Sequence, residues 1–515
     1  MIYDAIVVGG GHNGLVAAGY LGRAGKRVLV LERLGHVGGA AVSAQAFDGV
    51  DARLSRYSYL VSLLPRRIVD ELGAPVRLAR RRYSSYTPDP TCGGRRGLLI
   101  GAHRGHRPLA GVAFGAIGAD ADEAGFADFY RRCRLVTVSL WPTLTEPLLT
   151  RSGARERVRA DDAWRFMVDE PIGTAITSMV SHDLVRGVLA TDALIGTFAR
   201  LDDESLRQNV CFLYHVLGSG TGDWDVPIGG MGAVTSALAE AAIRYGAEIV
   251  TDAEVFAIDP EGEVRYRVRG DEHRAHGRFL LAGVSPAELA KLLGEPAPAS
   301  APGSQVKVNL MLRRLPRLHD RGVTAEQAFG GTFHVNETFT QLDTAHRKAS
   351  GGEVPDPLPC ETYCHSLTDP SILSGALRAS GAQTLTVFGL HTPHGALDED
   401  GLHKRLTETV LASLNSVLAE PIQDVLMQDA AGRDCIEVKT TFDLERTLGM
   451  TAGNIFHGGL TWPFAEDDEP LDTPARRWGV ATTHDRIMLC GSGSRRGGGV
   501  SGIGGHNAAM AVLAS

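Results

Sequence analysis

The stretch from residue 4 to residue 39 narrows the choice of fold more than any other. Ala5-Ile6-Val7-Val8 is a short, fully apolar run of the kind that forms a buried parallel strand, and it leads straight into Gly9-Gly10-Gly11-His12-Asn13-Gly14. Leu15, Ala18, Leu21 and Gly22 then recur at helical spacing before Gly25-Lys26 turns the chain into a second apolar run, Val28-Leu29-Val30-Leu31, closed by Glu32. This is a βαβ unit carrying G-x-G-x-x-G. In that pattern the first glycine, Gly9, allows the tight turn, Gly11 lets the backbone approach a pyrophosphate, and Gly14 permits close packing of helix on strand. The helix N-terminus presents free N–H groups and the positive end of its dipole to the phosphates. Glu32, 23 positions after Gly9, is placed to accept hydrogen bonds from a ribose diol, and its charge disfavours a 2′-phosphate and so NADP.

FAD and NAD share this fingerprint, so the next residues matter. Arg33-Leu34-Gly35-His36-Val37-Gly38-Gly39-Ala40-Ala41 places a second glycine pair just past the acid. At the other end of the chain, the apolar run Ile487-Met488-Leu489-Cys490 enters a loop with eight glycines among residues 491–505, followed by a small-residue helix. A strand, a glycine-rich loop and a helix start again build a place where backbone N–H groups face an anion. Two such loops at opposite ends predict one discontinuous domain whose termini meet around an extended cofactor. The 62 glycines in 515 residues exceed the roughly 7% of average usage, but codon bias explains much of that number; the placement carries the argument.

A third segment reads into the same domain. Trp224-Asp225-Val226-Pro227-Ile228-Gly229-Gly230-Met231-Gly232 precedes a helix ended by Gly246, and residues 248–258 read as one strand. Val264, Tyr266 and Val268 alternate with three arginines as a half-exposed hairpin strand, returning through residues 279–282. The proline-bearing stretch 294–304 reads as a linker.

Charge and cysteine content mainly exclude. A net charge of −8 offers no broad electrostatic reason to bind nucleic acid. Arg80, Arg81 and Arg82 read as a solvated face. Seven scattered cysteines do not form a disulfide framework, which favours a reducing, cytoplasmic location. Cys360, Cys364 and His365 lack the spacing of a haem or zinc motif, so no metal is expected. No apolar run is long enough to span a membrane, no basic region precedes Ile2 as in a signal peptide, and no C-terminal anchor is expected. Peripheral membrane contact stays open, without an amphipathic basic helix to support it.

Taken together, the chain resembles the phytoene desaturase-like FAD-dependent oxidoreductases, in the branch typified by pyridine nucleotide-disulfide oxidoreductase domain-containing protein 2. The matching segments are residues 9–41, 189–196 (Leu-Ala-Thr-Asp-Ala-Leu-Ile-Gly), 214–218 (Tyr-His-Val-Leu-Gly), 224–232, 453–458 (Gly-Asn-Ile-Phe-His-Gly) and the C-terminal glycine loop. The resemblance implies an α/β fold: a discontinuous Rossmann-type FAD-binding domain (residues 1–75, 223–300 and 476–515) with an inserted α+β substrate domain, helical over 76–222 and a mixed sheet over 301–475. Helix-like apolar spacing at 124–141 and 162–194, and strand-like alternation at 306–310 and 385–388, agree with that split. The implied cofactor contacts are Gly9, Gly11, His12, Asn13, Gly14, Glu32, Arg33, Gly38, Gly39, Ala40, Ala41, Val255, Gly491, Gly493, Gly498, Gly499, Val500 and Ser501. Ala40 replaces the basic residue common in the wider superfamily. Thr461-Trp462-Pro463-Phe464 departs from the usual continuation after residue 458 and puts the substrate in doubt more than the cofactor.

The reaction implied is hydride transfer to flavin N5 from a hydrophobic or biosynthetic small molecule, leaving a C=C or C=N bond, with oxygen or a quinone as electron acceptor. His457, Trp462 and His215 are the candidate catalytic residues. His506 is a further candidate for the flavin's pyrimidine edge, while Asp443 and Glu445 read more simply as helix-start charges. An amine oxidase, a non-redox isomerase using reduced flavin, and a protein that retains FAD only as an interaction module are the alternatives. Oligomeric state is not encoded in any motif.

Overall fold

A computed structural model describes residues 2–101, 114–395 and 398–515. β1 (Ile2–Val8), α1 (His12–Arg23) and β2 (Val28–Leu31) are the elements expected from the fingerprint. β1 pairs in parallel with β2 on one side and with the strand Asp271–Ala282 on the other. The strand Ile487–Leu489 adds in parallel to Leu280–Ala282, and Glu248–Val250 adds in parallel to β2. A five-strand parallel layer thus draws on residues from both ends of the chain and from its middle. Its strands are apolar because helices cover the sheet: α1 packs against the helices Met231–Arg244 and Ile503–Leu513.

Residues 248–258 form two strands rather than one. Asp252 takes a left-handed conformation (φ 52°), so the chain leaves the parallel edge and restarts as Ala253–Ile258, antiparallel to Glu263–Val268. The return strand of that hairpin is also longer than its apolar end suggested: it begins at Asp271 and serves both the hairpin and the parallel layer.

A second sheet runs Ile436–Lys439, Val306–Leu312, Gln383–Gly389, Cys360–Tyr363, Thr332–Val335, Tyr83–Pro88 and Gly97–Gly101, mostly antiparallel. The last two strands lie in the segment expected to be helical. Tyr83-Ser84-Ser85-Tyr86-Thr87-Pro88 has no clean alternation; it becomes a strand through its hairpin with Gly97–Gly101 and through parallel pairing with Thr332 and Phe333, some 250 positions away in sequence. From Glu123 onward that segment is mainly helical, with Glu123–Leu140, Arg151–Val158, Ile172–Met179, Asp183–Ala190 and Arg207–Leu217 around a core that includes Phe129, Trp164 and Phe212. The cavity described below lies where the parallel layer, the second sheet and this helical body meet.

Candidate active site

A cavity of about 670 Å³ opens at the C-terminal ends of β1 and β2, the position where open α/β sheets bind ligands. The local reasons are those read from the sequence. At Gly14 an added Cβ would collide with the Gly9 carbonyl oxygen, whereas at Gly11 it would meet no protein atom within 4 Å. The first glycine lets the helix sit on the turn; the second faces open space kept for a ligand. Glu32, 8% exposed, accepts hydrogen bonds from the Gly10 and Leu34 N–H groups at 2.8 Å each. Those two bonds fix its carboxylate at the end of β2, beside the cavity.

The C-terminal loop closes the same space. His12 Nε2 lies 3.0 Å from the Gly499 carbonyl oxygen, across 487 positions of sequence, and donates its proton to it. Burial pushes the His12 imidazole down to about 4, so it makes this bond as the neutral ring. Asn13 Nδ2 donates to the Gly497 carbonyl, and at Gly505 a Cβ would strike the Asn13 carbonyl. The final helix and α1 therefore pack at backbone distance.

Of the expected cofactor contacts, Gly9, Gly11, His12, Asn13, Gly14, Glu32, Arg33, Gly39, Ala40, Val255, Gly491, Gly499 and Val500 line the cavity. Gly38, Ala41, Gly493, Gly498 and Ser501 do not; they stand behind the wall. Gly38, with φ 123°, donates to the Gly10 carbonyl, the Ala41 carbonyl accepts from Thr235, and Ser501 Oγ accepts from the Ile503 N–H at the last helix start. Gly493 packs on Pro286, and Gly498 on Leu460.

The catalytic candidates separate. His457 lines the cavity in a left-handed conformation (φ 61°); its Nδ1 has no hydrogen-bond partner among the described residues, and burial lowers it to about 4. His215 lines the junction between this cavity and the next one. Its Nδ1 donates to the Cys211 carbonyl at 2.8 Å, which leaves Nε2 as the acceptor, and its ring stacks on Trp224. Trp462 lines neither cavity: it stacks on Phe464 at 5.6 Å against the helical core. His506 is likewise turned away, buried at the edge of Tyr20 with Nδ1 against Asn507. Asp443 forms a capping box with Thr440, and Glu445 lines the cavity while accepting from the Ala452 N–H.

Two inward-facing cations escaped sequence reading. Lys307 lines the first cavity from the strand Val306–Leu312, donates to the Ser55 carbonyl, and is pushed down to about 7 by burial. Its signal was a lone lysine in a run of otherwise uncharged, mostly apolar residues. Arg81 corrects the reading of residues 80–82 as a solvated face. It bonds the Trp224 carbonyl and Thr332 Oγ1 and lies over the Tyr363 ring, lining a second chamber.

That chamber, about 550 Å³, shares Tyr59, Leu60, Ile195, His215 and Trp224 with the first cavity. Phe114, Phe126, Tyr130 and Val188 give it apolar walls, and Asp192, His334 and Glu361 bring polar groups. Burial, with the Glu337 carboxylate adjoining, pushes the Glu361 carboxyl up to about 8.

Residues 7–66 match the family model described as an NAD(P)-binding Rossmann-like domain. The rat pyridine nucleotide-disulfide oxidoreductase domain-containing protein 2 is 29% identical over 99% of this chain and 93% of its own length. An uncharacterized protein of Mycobacterium tuberculosis is 69% identical over 99% of this chain and 97% of its own. The chain belongs to the family these proteins form. Cyclohexylamine oxidase from Brevibacterium oxydans shares the fold across 99% of this chain and 98% of its own, with a TM-score of 0.54 at 14% identity. The residues present here fit FAD. The open space before Gly11, the acid at Glu32 and the glycine loop at 491–499 form one continuous wall, and the cavity runs on to Lys307 and Phe388 of the second sheet. No described helix is long and apolar enough to cross a membrane.

Proposed function

We propose that this chain is an FAD-dependent dehydrogenase or oxidase that introduces a C=C or C=N bond into a largely apolar small molecule. The observation that carries this reading is the second chamber: aromatic and aliphatic walls adjoining the dinucleotide cavity, with Tyr59, Ile195 and His215 lining both. Pockets of this size and lining bury most of a small ligand and orient it through a few polar groups. Bound FAD supplies a two-electron oxidant with oxygen or a quinone as final acceptor. The chain's own residues then have three tasks. Gly9 to Gly14, Glu32, Gly491 and Gly499 hold the cofactor; the aromatic walls exclude water; and His215 Nε2, His457 Nδ1 and Lys307 Nζ offer proton-holding atoms along the path.

Anaerobic screening of small molecules against the purified yellow protein tests the proposal. A substrate should bleach the flavin absorbance, and a protein that converts a compound with no bleaching would be an isomerase instead. A protein that carries FAD but is bleached by none of a broad panel of apolar amines, alcohols and polyenes would contradict the enzymatic reading.

A further inference from the structure

We propose that His334, Glu337 and Glu361 form a binding site for one divalent cation of the zinc type at the wall of the second chamber. The second sheet builds this site. His334 and Glu361 stand directly opposite one another on the antiparallel strands Thr332–Val335 and Cys360–Tyr363. Asn336, in a left-handed conformation (φ 57°), turns the chain so that Glu337 comes back beside His334, with Oε2 2.5 Å from Nδ1. One ligand atom from each of the three residues lies within 4.8 Å of the others.

The cluster brings two buried carboxyl groups together with few partners. Glu337 and Glu361 are each 1% exposed, and His334 is the one ion-pair partner of either carboxylate among the described residues. Thr191 Oγ1 lies 3.0 Å from both carboxylates but has a single proton to give. Tyr363 donates to Glu361. Glu337 Oε1, fully buried, has no partner at all among the described residues. Buried carboxylates left this way are costly unless a proton or a cation joins them. An imidazole nitrogen with two carboxylates is a donor set suited to zinc, manganese or ferrous iron rather than to calcium or magnesium.

A zinc ion at about 2.0–2.2 Å from each donor sets them roughly 3.4 Å apart, so His334 Nδ1 and Glu337 Oε2 must part by about 0.9 Å while the wider separations, at most 4.8 Å, close by no more than about 1.4 Å. In doing so the ion replaces the proton between Nδ1 and Oε2. Three protein ligands leave a fourth position open, the arrangement of reactive rather than structural sites. His334 and Glu361 both line the chamber, so that position faces the space proposed for substrate and takes an oxygen donor such as a carboxylate or enolate. The inference rests on the proposed function only for that last step; ion binding stands independently of it.

The test uses the full-length holoprotein, purified without chelators or immobilised metal, with metal measured by plasma mass spectrometry and flavin by absorbance in the same sample. The expected result is about one zinc, manganese or iron per chain. After chelation, a titration with zinc alone against a fluorescent zinc indicator should restore one equivalent. Glu361→Gln and His334→Gln should each weaken zinc binding by more than the roughly 10–100-fold typical of losing an outer partner, while Thr191→Val should stay within that range. The wild-type titration is decisive even if a variant misfolds. No bound metal and no saturable zinc binding at micromolar concentration overturns the proposal and leaves a shared proton, or a substrate ammonium, as what satisfies Glu337. Unchanged binding in folded Glu361→Gln and His334→Gln also overturns it, since the zinc would then sit on thiols. Flavin content that stays normal while zinc binding fails separates this outcome from failure of the FAD assignment.

Discussion

Replacing Lys307 by methionine should make the protein more stable, and by an amount that depends on pH in one direction. Lys307 is 4% exposed and burial lowers it from 10.5 to about 7. In the unfolded chain the ammonium keeps its proton up to about pH 10.5. Below pH 7 both states are charged and the folded state bears the full burial cost, about 5 kcal/mol for that difference. Between pH 7 and 10.5 the folded state sheds its proton and the unfolded state does not, so wild-type stability rises with pH through this group. Methionine fills the space without the charge and has no such dependence. The advantage of Lys307→Met over wild type should therefore be largest at pH 6 and shrink by about 2.7 kcal/mol by pH 9. At roughly 1.1 kcal/mol per kelvin for a chain of 515 residues, this is a narrowing in melting temperature of about 2–3 °C. Scanning calorimetry of both proteins, with excess FAD at a fixed scan rate, reads it directly. A difference in melting temperature that is constant from pH 6 to pH 9, or that widens with pH, would refute the argument that Lys307 is held as a strained cation. The lost bond to Ser55 reduces the overall gain but not its pH dependence.

Gly11→Ala and Gly14→Ala should fail in different ways: the first keeps a normal melting temperature and loses flavin, read as the 450 to 280 nm absorbance ratio, while the second lowers stability by several kcal/mol because its Cβ meets the Gly9 carbonyl. Equal melting temperatures in the two variants would contradict the assigned roles. Gly499→Trp should purify with little or no flavin, since it places an indole in the cavity at a left-handed position (φ 72°); full flavin loading would reject the two-ended site. Burial holds His12, His457 and His506 at about 4, so these rings must take up protons on unfolding below pH 6.5. Melting temperature should therefore fall as pH drops from 6.5 to 4, and replacing His506 by glutamine should flatten that fall.

The parts of the site legible in the sequence were those where backbone geometry alone demands a residue type. Gly9, Gly11 and Gly14 announce a turn, an open approach and a close packing contact without reference to the rest of the chain, and the loop at 491–505 does the same. The residues that sequence reading missed depend on pairing partners far away. Tyr83–Pro88, already paired with Gly97–Gly101 in a hairpin, joins the second sheet because Thr332 and Phe333 lie beside it. His334, Glu337 and Glu361 converge because two strands align in one register, and no spacing rule connects residues 27 positions apart. Arg81 looked solvated because it stands in a run of three arginines, and its neighbours Arg80 and Arg82 are indeed exposed; the direction of one side chain in a triplet is not a compositional property. Trp462 was chosen because the resemblance places its segment beside the flavin, and His506 for its place beside the C-terminal glycine loop; in both cases packing turned the ring into the core instead.

The bond between His12 and Gly499 also sets an order of events during synthesis. The first wall of the cavity is translated well before its partner, which appears only after 487 further residues, roughly 25 to 100 s later at about 5–20 residues per second. Until then α1 lacks the helix Ile503–Leu513 that covers it, and the space before Gly11 has no far side. The segments between them must emerge before FAD meets a complete cavity, so cofactor capture reports that the two distant walls have been made and brought together.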